Sequence, residues 1–249
     1  MLNINYTYYN NYKLLEEVVK HYEHSLFMNY EHYKQFKFTI IDDGSKREPI
    51  SRDMVPSHWT VYRVEEDHGW GNEVCRNILM RETNTEWNAL MDLDYVITKC
   101  PDVDKIYRAF KEQSFCFQFE SGRSVEYNDY RTEVKDGRMI NSFIVSRSAW
   151  HNTCGYDMSF GYLYGYDHTF FEQLDREIVL PDSAVKKIAS QGAPEDWRLA
   201  PGDQTAFKDI KDKVSEFVNT GFYKQGIGWT KESERLKRCI DWPAYKELP

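Results

Sequence analysis

The sequence predicts an α/β fold with a mostly parallel central sheet flanked by helices. Short β-branched or alternating runs recur through the first half of the chain, and single amphipathic stretches separate them. One helix between successive strands is the pattern of right-handed crossovers, which set parallel strands side by side with helices on both faces. A further observation concerns position. Acidic pairs, Asp42-Asp43 and Asp92-x-Asp94, close two of the predicted strands. In such sheets ligands collect outside the carboxyl ends of the strands.

The elements follow in order. "NINYTYY" (3–9) alternates as a strand does, and from about Asn11 the residues Leu15, Val18, Val19 and Tyr22 repeat with helical spacing. "KFTIIDDGS" (37–45) is a β-branched run ending in a turn, and "TVYRV" (60–64) is a third strand. A helix over about Asn72 to Glu82 buries Cys75, Ile78 and Leu79; "EWNALM" (86–91) then leads into the second acidic pair. Pro101 opens a helix bearing Val103, Ile106, Tyr107 and Phe110. "SFCFQF" (114–119), "INSFIVS" (140–146) and "EIVLP" (177–181) read as strands, with a polar loop or hairpin over 121–138. A last helix from about Asp203 carries Phe207, Ile210, Val214 and Phe217. The main domain covers about 1–180, in two halves of about 1–99 and about 100–180. Residues 181–249 form a helical and loop extension on it.

Composition narrows the function. The 249 residues are 41% hydrophobic and 16% aromatic, enough for a sizeable core, and mean hydropathy is −0.71. Net charge is −8 with no basic run, which argues against nucleic acid or an anionic membrane surface as partner. Five cysteines without a CxxC pair argue against a zinc ribbon or a disulfide framework. The start of the chain is polar and no apolar run has the length of an integral membrane segment, so a cytoplasmic protein is expected.

In an extended chain residues i and i+2 face the same way, so Asp92 and Asp94 are expected to point together while Leu93 turns inward. Two carboxylates side by side repel, and a divalent cation such as Mg²⁺ or Mn²⁺ removes that penalty. Asp102-Val103-Asp104 has the same spacing but opens a helix, where capping explains it.

At this point the chain resembles the family 2-like glycosyltransferases of the GT-A fold, over roughly residues 3–175. "TYYN" (7–10) is similar to the family's Thr-Tyr-Asn strand end, and "IIDDGS" (40–45) to its Asp-Asp-Gly-Ser. "GWGNEVCRN" (69–77) resembles its Asn-x-Gly-x-x-x-Ala-Arg-Asn, with Gly69 in place of Asn and Cys75 in place of Ala. "LMDLD" (90–94) resembles its Asp-x-Asp. "GYD" (155–157) and "GYDH" (165–168) resemble its Gly-Phe-Asp and Gly-Tyr-Glu-Asp, with His168 replacing the second acid.

The resemblance implies the GT-A (nucleotide-diphospho-sugar transferase) fold, with a nucleotide half over about 1–99 and an acceptor half over about 100–180, and an inverting, metal-dependent glycosyl transfer. The donor would be a UDP- or GDP-linked sugar and the acceptor a hydroxyl of a glycan, lipid-linked or protein-linked molecule. It implies that Asp92 and Asp94 hold Mn²⁺ or Mg²⁺ against the diphosphate, with His168 a further ligand candidate. Asp42 or Asp43 would hydrogen-bond the base or ribose, Thr7 and Tyr8 would frame the base, and Gly71 belongs to the same donor-binding set. Arg76 would contact the phosphates or support Asp92. The general base falls on Asp167, with His168 and Asp157 as alternatives. Trp70, Tyr156, Tyr162, Tyr164 and Tyr166 would form a sugar-stacking wall or simply pack a loop-rich rim. A nucleotidyltransferase would share metal and aspartates but usually carries a Gly-rich basic loop after the first strand, which "TYYNNYK" is not. A non-catalytic sugar-binding module on the same scaffold is the other alternative.

Overall fold

A computed structural model describes residues 1–24, 35–67, 72–99, 115–120, 142–153, 155–156, 170–171, 174, 176–188 and 244–249. The helices expected after Pro101 and from Asp203, and the polar segment 121–138, lie outside them. The first half runs β1 (Leu2–Tyr8), α1 (Tyr12–His24), β2 (Phe36–Asp42), β3 (Thr60–Val64), α2 (Asn72–Glu82), β4 (Trp87–Met91) and β5 (Tyr95–Lys99). Then come β6 (Phe115–Glu120), β7 (Phe143–Ser146), α3 (Arg147–Asn152), β8 (Arg176–Lys187) and β9 (Tyr245–Glu247).

The described strands form one sheet of nine, in the order β5-β8-β6-β7-β4-β1-β2-β3-β9. The pairings β3–β2–β1–β4 are all parallel: α1 makes the crossover from β1 to β2 and α2 the one from β3 to β4, while the β2-to-β3 connection holds only a short 3₁₀ turn at Arg52–Met54. Strands β1, β2, β3, β4, β6 and β8 run one way; β5, β7 and β9 run against them.

Alternation along β1 divides the two faces. Leu2, Ile4, Tyr6 and Tyr8 join the core with Leu15, Val18 and Tyr22 of α1. Asn11 starts α1, its side-chain oxygen accepting from the Leu14 amide at 3.2 Å, an N-cap contact. Phe38 of β2 stacks on Trp59 at 4.7 Å and meets Tyr22 at 4.9 Å on the same face. On the opposite face α2 covers Ile41 and Val64 with Cys75, Ile78 and Leu79.

That second face also buries a polar ladder. Asn3 donates to Asn5 Oδ1 at 2.9 Å and Thr39 donates to Asn3 Oδ1 at 3.1 Å. Thr83 donates to Asn88 Oδ1 at 2.8 Å, and Asn88 Nδ2 donates to the Thr85 carbonyl at 2.8 Å. Buried polar groups stay inside only when paired. Asn88→Ala is therefore expected to cost about 3 kcal/mol, because its partners keep the desolvation penalty without the bond. A urea unfolding midpoint lowered in proportion checks this.

Three differences from the sequence expectation are informative. β5 was not foreseen as a strand separate from the run before it. It is set apart by a turn closed by the Tyr95 amide on the Asp92 carbonyl at 3.1 Å. Asp92 and Asp94 therefore sit on a turn, and strand alternation does not align their side chains. β8 extends to Lys187 because its chain recovers beyond Pro181: against β6 the register jumps from Leu180 to Ala184, a bulge of the kind that accommodates proline. β9, three residues long, adds the end of the chain to the edge of β3.

Candidate active site at the carboxyl edge of the sheet

Register brings the predicted residues to one edge. Tyr8, the last residue of β1, lies opposite Asp42, the last of β2. Tyr6 lies opposite Met91, the last of β4, so Asp92 leaves the sheet at that same edge. Thr7, Tyr8, Asp42, Asp43, Arg76, Asp92 and Asp94 all belong to this rim. Gly71, Asp157, Asp167 and His168 lie outside the described residues.

Asp42 is fully buried. Its Oδ1 accepts from the Ser45 amide at 2.9 Å and its Oδ2 from the Ile50 amide at 2.9 Å, with Arg63 Nε at 3.6 Å. Burial raises its pKa, and these hydrogen bonds and the guanidinium work against that rise. The carboxylate thus organises the 43–50 loop. Asn10, at φ +45, braces the loop from outside: its Oδ1 accepts from the Arg47 and Glu48 amides at 3.0 and 3.1 Å. Tyr8 is buried too, its hydroxyl donating to the Glu48 carbonyl at 2.6 Å. Asp43 follows at the strand end, its amide bonded to the Tyr8 carbonyl at 2.9 Å. Beneath it the Cys75 thiol is fully buried and its pKa is pushed well up, by burial first and then by the neighbouring Asp43 charge.

Asp92 is the hub of the other half. Its Oδ1 accepts from Arg76 Nη2 at 2.7 Å and from Asn72 Nδ2 at 3.4 Å, and its amide donates to Ser142 Oγ at 3.3 Å. Thr7 Oγ1 donates to Asn72 Oδ1, linking the end of β1 to the start of α2. Arg76 is 1% exposed, so it is no solvated helix arginine; its charge is spent inside, on a carboxylate that is 25% exposed. The Asp94 carbonyl accepts from the Ile188 amide at 2.8 Å. The Asp94 charge adds to the burial that holds the Tyr6 phenol neutral.

Tyr156, expected on a sugar-stacking wall or in the rim packing, is fully buried and takes the packing role. Its ring lies 5.6 Å from Trp150 and 5.1 Å from Phe170, and its hydroxyl accepts from Arg76 Nη1 at 2.7 Å. Sequence reasoning missed Asn72, Asn10 and Ser142. Asn72, at a helix start after Gly71, and Asn10, the last residue of "TYYN", carried readable signals; Ser142 carried none.

Two carboxylates on one turn are hard oxygen donors, which suits Mg²⁺ or Mn²⁺ shared with substrate phosphate oxygens and water. Among the described residues no three His, Cys, Asp or Glu side chains converge on one point. The oxygen donors of Asp92 and Asp94 fit an ion shared with substrate.

A parallel α/β sheet with an Asp-Asp-Gly-Ser turn and an arginine-held aspartate at its carboxyl edge is the frame of a GT-A glycosyltransferase. The chain belongs to glycosyl transferase family 2, whose model matches residues 6–168. No curated protein matches it in sequence. Among solved structures it is similar in fold to S. aureus TarS (14% identity, TM-score 0.59), covering 97% of this chain and 42% of that one. It is also similar to GalNAc-T7 solved with UDP, GalNAc and Mn²⁺ (13%, TM-score 0.59, 97% and 54% covered). A third is TarS 1–349 in complex with UDP-GlcNAc (15%, TM-score 0.56, 97% and 71% covered). The chain thus spans about half or less of the first two proteins.

Proposed function

We propose that the protein transfers a sugar from a UDP-linked donor to an acceptor hydroxyl, with inversion and with a divalent cation. The observation that carries this is the Arg76–Asp92–Asn72 array, set at the sheet's carboxyl edge beside the loop that Asp42 holds. Fold neighbours solved with UDP, UDP-GlcNAc and Mn²⁺ favour UDP over GDP as the nucleotide. Asp43 and Thr7 meet the nucleoside at the ends of β2 and β1, while Asp42 and Tyr8 act from inside by shaping the loop around it. Gly71, which precedes α2 in the sequence, belongs to the same donor-binding set. Arg76 holds Asp92 in place through a charge-assisted hydrogen bond. Asp92 and Asp94, with His168 as a further ligand, would hold Mn²⁺ or Mg²⁺, and the ion would supply neutralising charge to the leaving diphosphate. Asp167 accepts the proton of the attacking hydroxyl, with His168 its neighbour in that role. The compartment we propose is the cytoplasm, consistent with an unpaired, buried Cys75.

The test is product analysis with a panel of UDP- and GDP-sugars and simple glycan acceptors. UDP release that needs acceptor and stops on chelation is the expected result. Pyrophosphate release would instead make this a nucleotidyltransferase, and binding without turnover a sugar-binding module.

A further inference from the structure

The Arg76 guanidinium reaches two partners at once. Nη2 donates to Asp92 and Nη1 to the Tyr156 hydroxyl, both at 2.7 Å. The Tyr156 and Phe143 rings lie 5.6 and 5.7 Å from it, so aromatic faces flank the charge. Tyr156 is itself anchored. Asn77 Nδ2 donates to its carbonyl at 2.9 Å and Asn77 Oδ1 accepts from its amide at 3.0 Å. The preceding Gly155 has φ +63, and a Cβ there would come within 2.6 Å of Asn77 Oδ1. Only glycine lets this segment lie so close to α2. A phenylalanine, as in the Gly-Phe-Asp segment this stretch resembles, would fill the same space without a hydroxyl.

We propose that Tyr156 is a positioning residue for the donor site. Its hydroxyl fixes Arg76, and Arg76 fixes Asp92. The device joins the acceptor half of the chain, which continues from Tyr156 into Asp157, to the aspartate that holds the donor. The proposal rests on the function given above. It predicts a weakening of metal and nucleotide binding out of proportion to any loss of fold: groups that hold a metal ligand typically set affinity by about 10- to 100-fold, and Tyr156, one contact beyond Arg76, falls at the low end of that range.

Calorimetric titration of UDP in the presence of Mn²⁺ tests it as a double-mutant cycle with Asp92→Asn. Tyr156→Phe is expected to weaken UDP binding about tenfold in the native background and to add little in the Asp92→Asn background. Equal weakening in both backgrounds means that the hydroxyl acts through general stability, and that overturns the proposal. So does undiminished binding by Tyr156→Phe. If that variant does not fold, Arg76→Lys, which cannot span both partners, serves instead. It is expected to show the same loss, and wild-type affinity overturns the proposal. A wild-type protein that binds no UDP overturns the donor assignment, and this inference with it.

Discussion

Asp92→Asn is expected to lower turnover about 100- to 1000-fold, the usual loss when one group that stabilises transition-state charge is removed. The variant keeps an oxygen for Arg76 at 2.7 Å and for Asn72 at 3.4 Å, so the array survives as hydrogen bonds. What disappears is the negative charge. Without it the cation loses a ligand and the buried guanidinium loses its counter-ion. Because Asp92 is 25% exposed, water screens part of the second loss, and the melting temperature is expected to move far less than the rate. Initial rates at saturating donor and Mn²⁺, paired with thermal melts, separate the two. A variant with native turnover would remove Asp92 from the mechanism.

Gly44→Ala is expected to cost about 2–4 kcal/mol, since two penalties add at one position. The glycine has φ +71, where an L side chain is strained. A Cβ there would also stand 2.7 Å from the Glu66 carbonyl oxygen and 2.8 Å from the Asp67 Cα and N. All three contacts are backbone atoms, so no side chain can swing aside. The loop that carries Asp43 would have to lift away from the 66–67 segment, and UDP affinity is expected to fall with stability. A urea midpoint equal to wild type would show that the loop adapts without strain.

Much of the frame was legible in local pattern. Leu2, Ile4, Tyr6 and Tyr8 alternate, Leu15, Val18 and Tyr22 repeat helically, and both patterns report the buried face directly because side-chain direction follows backbone period. The turn "DDGS" announced itself through its own residues. Asp92-Leu93-Asp94 shows the limit. Local pattern read it as an extended chain, whereas the Tyr95 amide folds it into a turn. β9 was invisible for a related reason: three residues hold too little periodicity, and only pairing with β3 makes them a strand.

The alternation of strand and helix from β1 to β4, the face each of these elements buries, and the delivery of Asp42, Asp43 and Asp92 to one rim were determined by the sequence alone. They depend on periodicity and on connections between neighbours in the chain. Tertiary structure alone decided which acids face outward and what holds them. Asp42 is turned in by amides up to eight residues away, and Arg76 is drawn under the rim between Asp92 and a tyrosine eighty residues on. Contacts across such separations leave no period in the chain. They exist because a buried charge must find partners wherever packing brings them.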